Sequence, residues 1–234
     1  MAVGLGPFIP LAQLALDGSW DSADARMFAY GGVVGMQSNW MYLTEKWQAI
    51  LDNVGIESFH MVEAMNFRGQ FSRLGREWGA ERIERRDRLL DELITCAERS
   101  NFSAFGLGAD IRLLGDQVKA AKKKEMFQAV VRDSIQNLDP SYRLAILCDR
   151  EQDAALLFLG WLENLFLREP KQRTRVWAFC FIDDRYVAAA QLADIWVYLL
   201  REDSERRSFT PDVPPNPLFA RLAARARRGR PRHG

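Results

Sequence analysis

The order of short apolar runs along this chain suits a sheet-based fold best. The first run, Ile9-Pro10-Leu11-Ala12-Gln13-Leu14-Ala15-Leu16, reads as a buried strand over 9–17. Residues 18–25 are rich in Gly, Ser and Asp and read as a turn. A second strand over 26–35 ends in Gly31-Gly32-Val33-Val34-Gly35. Two strands joined so closely pair as an antiparallel hairpin. After that, helices and strands alternate. Helices are predicted over about 38–53, 79–100, 115–137, 152–168 and 187–202, and strands over 101–110, 143–148 and 175–182. A leading hairpin followed by alternation predicts an α/β fold, a mixed β-sheet flanked by α-helices.

The apolar segments end on, or are interrupted by, acids. Asp17 closes the first strand, Asp149 follows Leu144-Ala145-Ile146-Leu147-Cys148, and Asp194 breaks Leu192-Ala193-Asp194-Ile195-Trp196-Val197. A carboxylate in such a place is costly unless it is paired. Several brought together would repel one another, and a divalent cation is the usual remedy. Each has a plainer reading too. Asp17, before Gly18-Ser19, suits a turn, and Asp149 suits a helix cap. Asp194 and Gln191 suit the polar stripe Val187, Gln191, Asp194, Tyr198 and Arg201 of an amphipathic helix, opposite Leu192, Ile195, Trp196 and Leu199. Asp183-Asp184 closes the strand 175–182 as a competing ligand pair or as a turn and cap. His60 and Glu63 stand three apart in Phe59-His60-Met61-Val62-Glu63, a spacing that shares a face if helical.

With 234 residues, 48% hydrophobic and 27% charged, the chain has ample material for one domain. The net charge of +1 excludes a global polyelectrolyte. The charge is uneven, however. The last seventeen residues hold six arginines and no acid, which leaves 26 basic against 31 acidic residues elsewhere, a balance of −5. Residues 1–203 therefore read as the folded domain, and 204–234 as a Pro-containing linker with an Arg-rich C-terminal tail, either a short basic helix or disordered. Cys96, Cys148 and Cys180 are odd in number and widely spaced, which argues against a disulfide framework or a cysteine zinc site. They suggest a reducing, cytoplasmic setting. The N-terminus makes a poor signal peptide, and no apolar run is long enough for a membrane span, so no membrane partner is expected.

Only His60 and His233 are present, which leaves a Ser-His-Asp triad dependent on His60 alone. Gly4-x-Gly6 and Gly106-x-Gly108 lack the continuation of a dinucleotide-binding loop. Lys119, Lys122, Lys123 and Lys124 read as a solvated face or as a phosphate-binding patch. Trp20, Trp78 and Trp177 read as core or as base-stacking surfaces.

Four pieces occur in order: Asp17-Gly18-Ser19 after the first strand, Phe59-His60-Met61-Val62-Glu63 after a helix, Asp149 ending a later strand, and Gln191-Leu192-Ala193-Asp194 near the end. Over residues 9–201 this arrangement resembles the bacterial domain of unknown function 3800 family. That family has an Asp-Glu-Ser-Gly-like opening, a Phe-His-x-x-Glu-like element and a late Gln-Leu-Ala-Asp motif. The resemblance implies a ribonuclease-H-like fold with a carboxylate cluster of Asp17, Glu63, Asp149 and Asp194. It implies Mg²⁺ or Mn²⁺ as the cofactor, His60 in support, and nucleic acid as the substrate of a metal-dependent nuclease or phosphodiesterase. Hard cations prefer such oxygen ligands. The chain departs from the pattern at Gly18, where the family has Glu, and at Trp20, where it has Gly. The alternative is therefore a catalytically inactive module on the same fold that binds nucleic acid or a protein partner.

Overall fold

A computed structural model describes residues 10–20, 27–74, 79–112, 114–149, 155–210 and 212–228. The expected turn beyond residue 20, Trp78, the start of the fourth helix and the end of the Arg-rich tail lie outside the described residues. So does the side chain of Trp20.

The sheet has five strands: β1 (Leu11–Trp20), β2 (Met27–Met36), β3 (Ser103–Asp110), β4 (Arg143–Asp149) and β5 (Val176–Ile182). Their order is β3-β2-β1-β4-β5. β1 and β3 run antiparallel to β2, while β4 is parallel to β1 and β5 is parallel to β4. The leading hairpin and the mixed sheet are both present. β1 is longer than its apolar run suggested. Asp17 is not terminal but pairs with Gly31, and the strand continues through Gly18 and Ser19 to Trp20. The backbone ladder with β2 carries the chain past the point where hydrophobicity stops.

Helices cover both faces. Side chains from Leu14, Leu16, Phe28, Tyr30 and Ile146 pack with α4 (Asp116–Gln136) and α5 (Ala155–Arg168). A small helix, α6 (Pro170–Arg173), links α5 to β5. On the opposite face Ala15, Ala29 and Val33 meet α7 (Ala188–Phe209). Around α7 stand α1 (Gln37–Val54), α2 (Met61–Asn66) and α8 (Pro217–Arg228), and α3 (Ala80–Arg99) packs on α1 and α8. Trp40, Leu43, Trp47 and Leu51 of α1 are buried as their spacing predicts. In α3 the stripe Leu90, Leu93, Ile94 and Ala97 is buried, but Ile83 is exposed, because the first turn of the helix extends past the core.

α7 differs most from expectation. It runs seven residues beyond 202 and is not a surface helix with one polar stripe. Gln191 and Tyr198 are buried along with Leu192 and Leu199, because α7 lies on the sheet with α1, α2 and α8 packed around it. Of the expected tail, the described part is a helix. Phe219 and Leu222 of α8 join the core, Phe219 stacks on Trp196, and Arg221 pairs with Asp91 and Glu98 of α3.

Glycines set how closely α7 approaches the sheet. A Cβ on Gly31 would stand 2.7 Å from the Phe105 carbonyl oxygen and 3.1 Å from both Trp196 Nε1 and Val197 Cγ2. Its neighbour across the ladder, Gly106, lies under Leu200 and Trp196, and Gly108 lies under Ser204. The indole N–H of Trp196 donates 2.9 Å to the Phe105 carbonyl, an additional tie between helix and sheet. Replacing Gly31 by Ala is expected to cost about 1–3 kcal/mol, because backbone blocks the new methyl. Gly160→Ala, within α5, places its methyl with nothing inside 4 Å and is expected to cost clearly less. Urea unfolding of the two variants tests this, and equal costs would refute the packing argument.

Candidate functional site

The site begins where β1 and β4 run side by side. Leu16 pairs with Cys148, so Asp17 and Asp149 follow on neighbouring parallel strands. Alternation turns both toward the face that carries Ala15 and α7. Burial, and then the charges of Asp17 and Asp149, push the Cys148 thiol well above its ordinary range. The ends of adjacent parallel strands are a recurrent ligand-binding position in open α/β sheets.

The first turns of α7 supply the second wall. Gln191 uses its whole side-chain amide. Its oxygen accepts from the Trp47 indole N–H at 2.7 Å and the Phe59 backbone N–H at 3.0 Å. Its nitrogen donates to the carbonyls of Asp184 and Arg185 at 3.0 and 3.1 Å. One turn on, Asp194 Oδ2 accepts from the Met61 backbone N–H at 2.7 Å. Met61 opens α2, and His60, at the N-cap position, makes no side-chain cap of its own, so Asp194 supplies it from another helix.

His60 stands between two carboxylates. Its Nε2 is 3.3 Å from Asp184 Oδ2 and its Nδ1 is 4.0 Å from Asp194 Oδ2. Burial raises the Asp194 carboxyl to about 6, opposed by the Met61 N–H and by His60 and reinforced by Asp184 and Asp149. The Asp184 carboxyl is raised as well, first by burial, with Asp149 and Asp183 adding and His60 opposing. Asp149, Asp184, Asp194 and His60 are thus one electrostatic group, and Asp17 joins Asp149 beside Cys148.

Glu63 is placed differently. It lies in the first turn of α2, and its carboxylate covers Gly69, with Cδ 2.8 Å from where a Cβ would sit on that residue. Gly69 has φ 53°, so the turn (Gly69–Arg73, a 3-10 helix) needs glycine for its backbone as well as for this approach. His60 and Glu63 do not share a helical face, because His60 precedes the helix in an extended conformation.

The Asp183-Asp184 pair divides between its two readings. Asp183 caps the short turn Asp184–Tyr186 by accepting from the Arg185 N–H and pairs with the Arg185 guanidinium. Asp184 turns inward to His60. The sequence signal for Asp184 was the doubled acid at the end of a strand. Nothing local distinguished the two members.

A set of carboxylates with one imidazole has the donor chemistry of a site for a hard divalent cation. The raised carboxyls of Asp184 and Asp194 show that these acids carry an electrostatic cost that a cation would relieve. Among the described residues, no three His, Cys, Asp or Glu side chains are gathered tightly enough to hold a metal as they stand. The lysines of α4 form local contacts, Lys119 with Asp116 and Lys122 with Glu125, while Lys123 lies over the Phe28 ring. No helix among the described residues is long and apolar enough to cross a membrane.

Compared with known proteins, the chain matches no family model, and no curated protein or solved structure is significantly similar to it.

Two predictions follow from the bonding around α7. Gln191→Ala leaves the buried Trp47 and Phe59 donors and two carbonyls without their partner. Chemical denaturation is expected to show a loss of about 2–4 kcal/mol, and a loss within the range of ordinary surface changes would refute the role given to this amide. The second concerns pH. The Asp194 carboxyl keeps its proton to higher pH in the folded than in the unfolded chain. Its contribution to stability is therefore fully present below the ordinary carboxylate range and is lost as pH rises from about 4 to about 6. Asp194→Asn can still accept from Met61 and has no charge to bury. It is expected to be more stable than wild type at pH 7, by up to about 3 kcal/mol, with the gap closing near pH 4. A variant less stable than wild type at neutral pH would refute this.

Proposed function

We propose that this protein is a metal-dependent nuclease or phosphodiesterase acting on nucleic acid, built on a ribonuclease-H-like sheet. The observation that carries the reading is the gathering of Asp149, Asp184, Asp194 and His60 where the β1–β4 pairing ends, with Asp17 alongside. The strand order β3-β2-β1-β4-β5, with an antiparallel hairpin half and a parallel half, supports the fold part of the proposal. The sequence resemblance to the domain of unknown function 3800 family, carried by several of the same residues, is consistent with it.

In this reading Asp17, Asp149 and Asp194 would hold Mg²⁺ or Mn²⁺, with Asp184 as a further candidate ligand. When bound, the metal supplies an activated water and stabilises the leaving oxygen of a phosphodiester. The protein's own groups do the rest. Asp194 keeps one oxygen on Met61 and so fixes the other in orientation. His60 bridges toward Asp184 and Asp194, holding their geometry and offering a site for a proton. Glu63 enters the set only by rotating off Gly69.

A second reading is a catalytically inactive module that binds nucleic acid or a protein partner. Two observations favour it: Gly18 next to Asp17, where the resembled family has an acid, and the absence among the described residues of a metal-ready triad.

The test is Mg²⁺- or Mn²⁺-dependent cleavage of a panel of single- and double-stranded DNA and RNA. Wild type is expected to cleave, Asp149→Asn and Asp194→Asn to lose activity while remaining folded, and His60→Asn to fall by roughly 10–100-fold. Activity unchanged in both Asp17→Ala and Asp194→Ala would sink the nuclease reading. Binding without cleavage by any metal form would favour the module.

A further inference from the structure

A cleft of about 710 Å³ opens between the end of α1, the segment 55–58 and the turn that carries Arg185 and Tyr186. That volume is in the range of small-ligand sites. Two of its walls continue directly from the candidate site. Ser58 stands two residues before His60, and Arg185 follows Asp184. The Gln191 amide ties the two walls together, accepting from the Phe59 N–H and donating to the Asp184 and Arg185 carbonyls. A ligand seated against His60 and Asp184 therefore has this cleft at its flank.

The walls are held by their own bonds. The Gln70 side-chain oxygen accepts from the Glu57 N–H at 2.6 Å, and its nitrogen donates to the buried Ser58 hydroxyl at 3.2 Å. Arg185 donates Nε and Nη2 to the Asp183 carboxylate, and its guanidinium lies 5.7 Å from the centre of the Tyr186 ring. These groups shape the cleft and are already engaged. The further lining is the Tyr186 ring, 78% exposed, with the carboxylates of Asp52 and Glu57. Of these two acids, Asp52 accepts one bond at Oδ1 from Gln48.

A complementary ligand needs a flat face for the ring and N–H donors for two groups that only accept. An unpaired nucleobase has both. Stacking on an aromatic side chain is a common means of holding single strands, and a splayed base is read on its Watson–Crick edge. Guanine is the base that presents two adjacent N–H donors on that edge, N1 and N2, to one carboxylate. Asp52 and Glu57 repel phosphate, which keeps the backbone on the His60 side and the base on theirs. An arginine side chain is also planar and rich in donors. The Arg185 guanidinium beside the ring opposes a second cation there, however, and the cleft is far larger than a guanidinium group.

We infer that this cleft takes one unpaired base, guanine before the others, of a single-stranded nucleic acid whose backbone lies at the carboxylate group. A base stacked inside a duplex cannot lie on Tyr186, so single strands are the preferred substrate class. The inference rests on the nucleic-acid reading of the neighbouring site and adds its specificity.

The experiment is fluorescence anisotropy with short labelled strands and the full chain in EDTA, so that binding is read without cleavage. Wild type is expected to bind a guanine-bearing strand about tenfold more tightly than the blunt duplex containing it, and more tightly than an all-uracil strand. Tyr186→Ala is expected to weaken strand binding about tenfold, and Tyr186→Phe to preserve it. Glu57→Gln is expected to keep strand binding and lose the preference for guanine over uracil. Equal affinity for strand and duplex, equal affinity for guanine and uracil strands, or a Tyr186→Ala variant that binds like wild type would overturn the inference. So would Tyr186-dependent binding of an oligoarginine peptide in place of the strand. The two readings fail separately. Tyr186-dependent binding without cleavage in Mg²⁺ or Mn²⁺ refutes the nuclease and upholds the base site, whereas cleavage with binding indifferent to Tyr186 refutes the base site alone.

Discussion

The fixed point of this molecule is the carboxamide of Gln191. It lies in the most buried stretch of α7, where an unpaired polar group would be costly, and every one of its hydrogen-bonding positions that matters is filled. Its partners come from three different places: the indole of α1, the backbone just before α2, and the carbonyls of the turn after β5. Neither the turn nor the segment Phe59–His60 belongs to a long regular element that would place it independently. One amide therefore sets where His60 and Asp184 stand relative to α7, and so relative to Asp194 one turn further on. The two polar residues of Gln191-Leu192-Ala193-Asp194 act as a pair. The first positions the loops, and the second holds the start of α2 through the Met61 N–H.

That pinning works only if α7 itself is seated, and the seat is made of absent side chains. Gly31 and Gly106, paired across β2 and β3, let the helix come down until Trp196 reaches the Phe105 carbonyl. The same register puts Asp17 opposite Gly31. Glycine at that place thus serves the packing of α7 and leaves room on the sheet face where Asp17 stands. Core packing and site geometry are therefore not separable along β2: a change that lifts α7 off the sheet also moves Asp194 away from the ends of β1 and β4.

Much of this was legible from the chain. Hydrophobic period and turn chemistry located every strand and long helix, and the hairpin-first order fixed a mixed sheet. The buried stripe of α1 followed from its spacing. What could not be read was set by tertiary partners. Asp17 looked terminal because apolar character stops at Leu16, yet the ladder with β2 carries the strand on to Trp20. The polar stripe of α7 looked solvent-facing because period alone cannot distinguish water from a neighbouring helix and loop. Glu63 shares a spacing with His60 but not a surface, since α2 begins one residue after the histidine. Asp183 and Asp184 are adjacent acids with opposite fates, and only the position of His60 separates them.

The most telling point about the candidate site is what folding does not require of it. The Met61 N–H needs an acceptor, and an asparagine at 194 would supply one without a charge to bury. An acid there is held at about 6 against the usual carboxylate range, and Asp184 is raised beside it. Both costs are made worse by Asp149, which stands on the neighbouring strand end. Stability alone would favour amides at such positions, as it does wherever a polar cap is buried among like charges. Two carboxyls raised by burial, and further by Asp149, make sense when something positive relieves them. His60 faces two of the three acids, Asp184 and Asp194, at distances of 3.3 and 4.0 Å. A divalent cation would relieve the buried Asp184 and Asp194 carboxyls in the same sense as His60 does, which is the ground for proposing that these residues hold one.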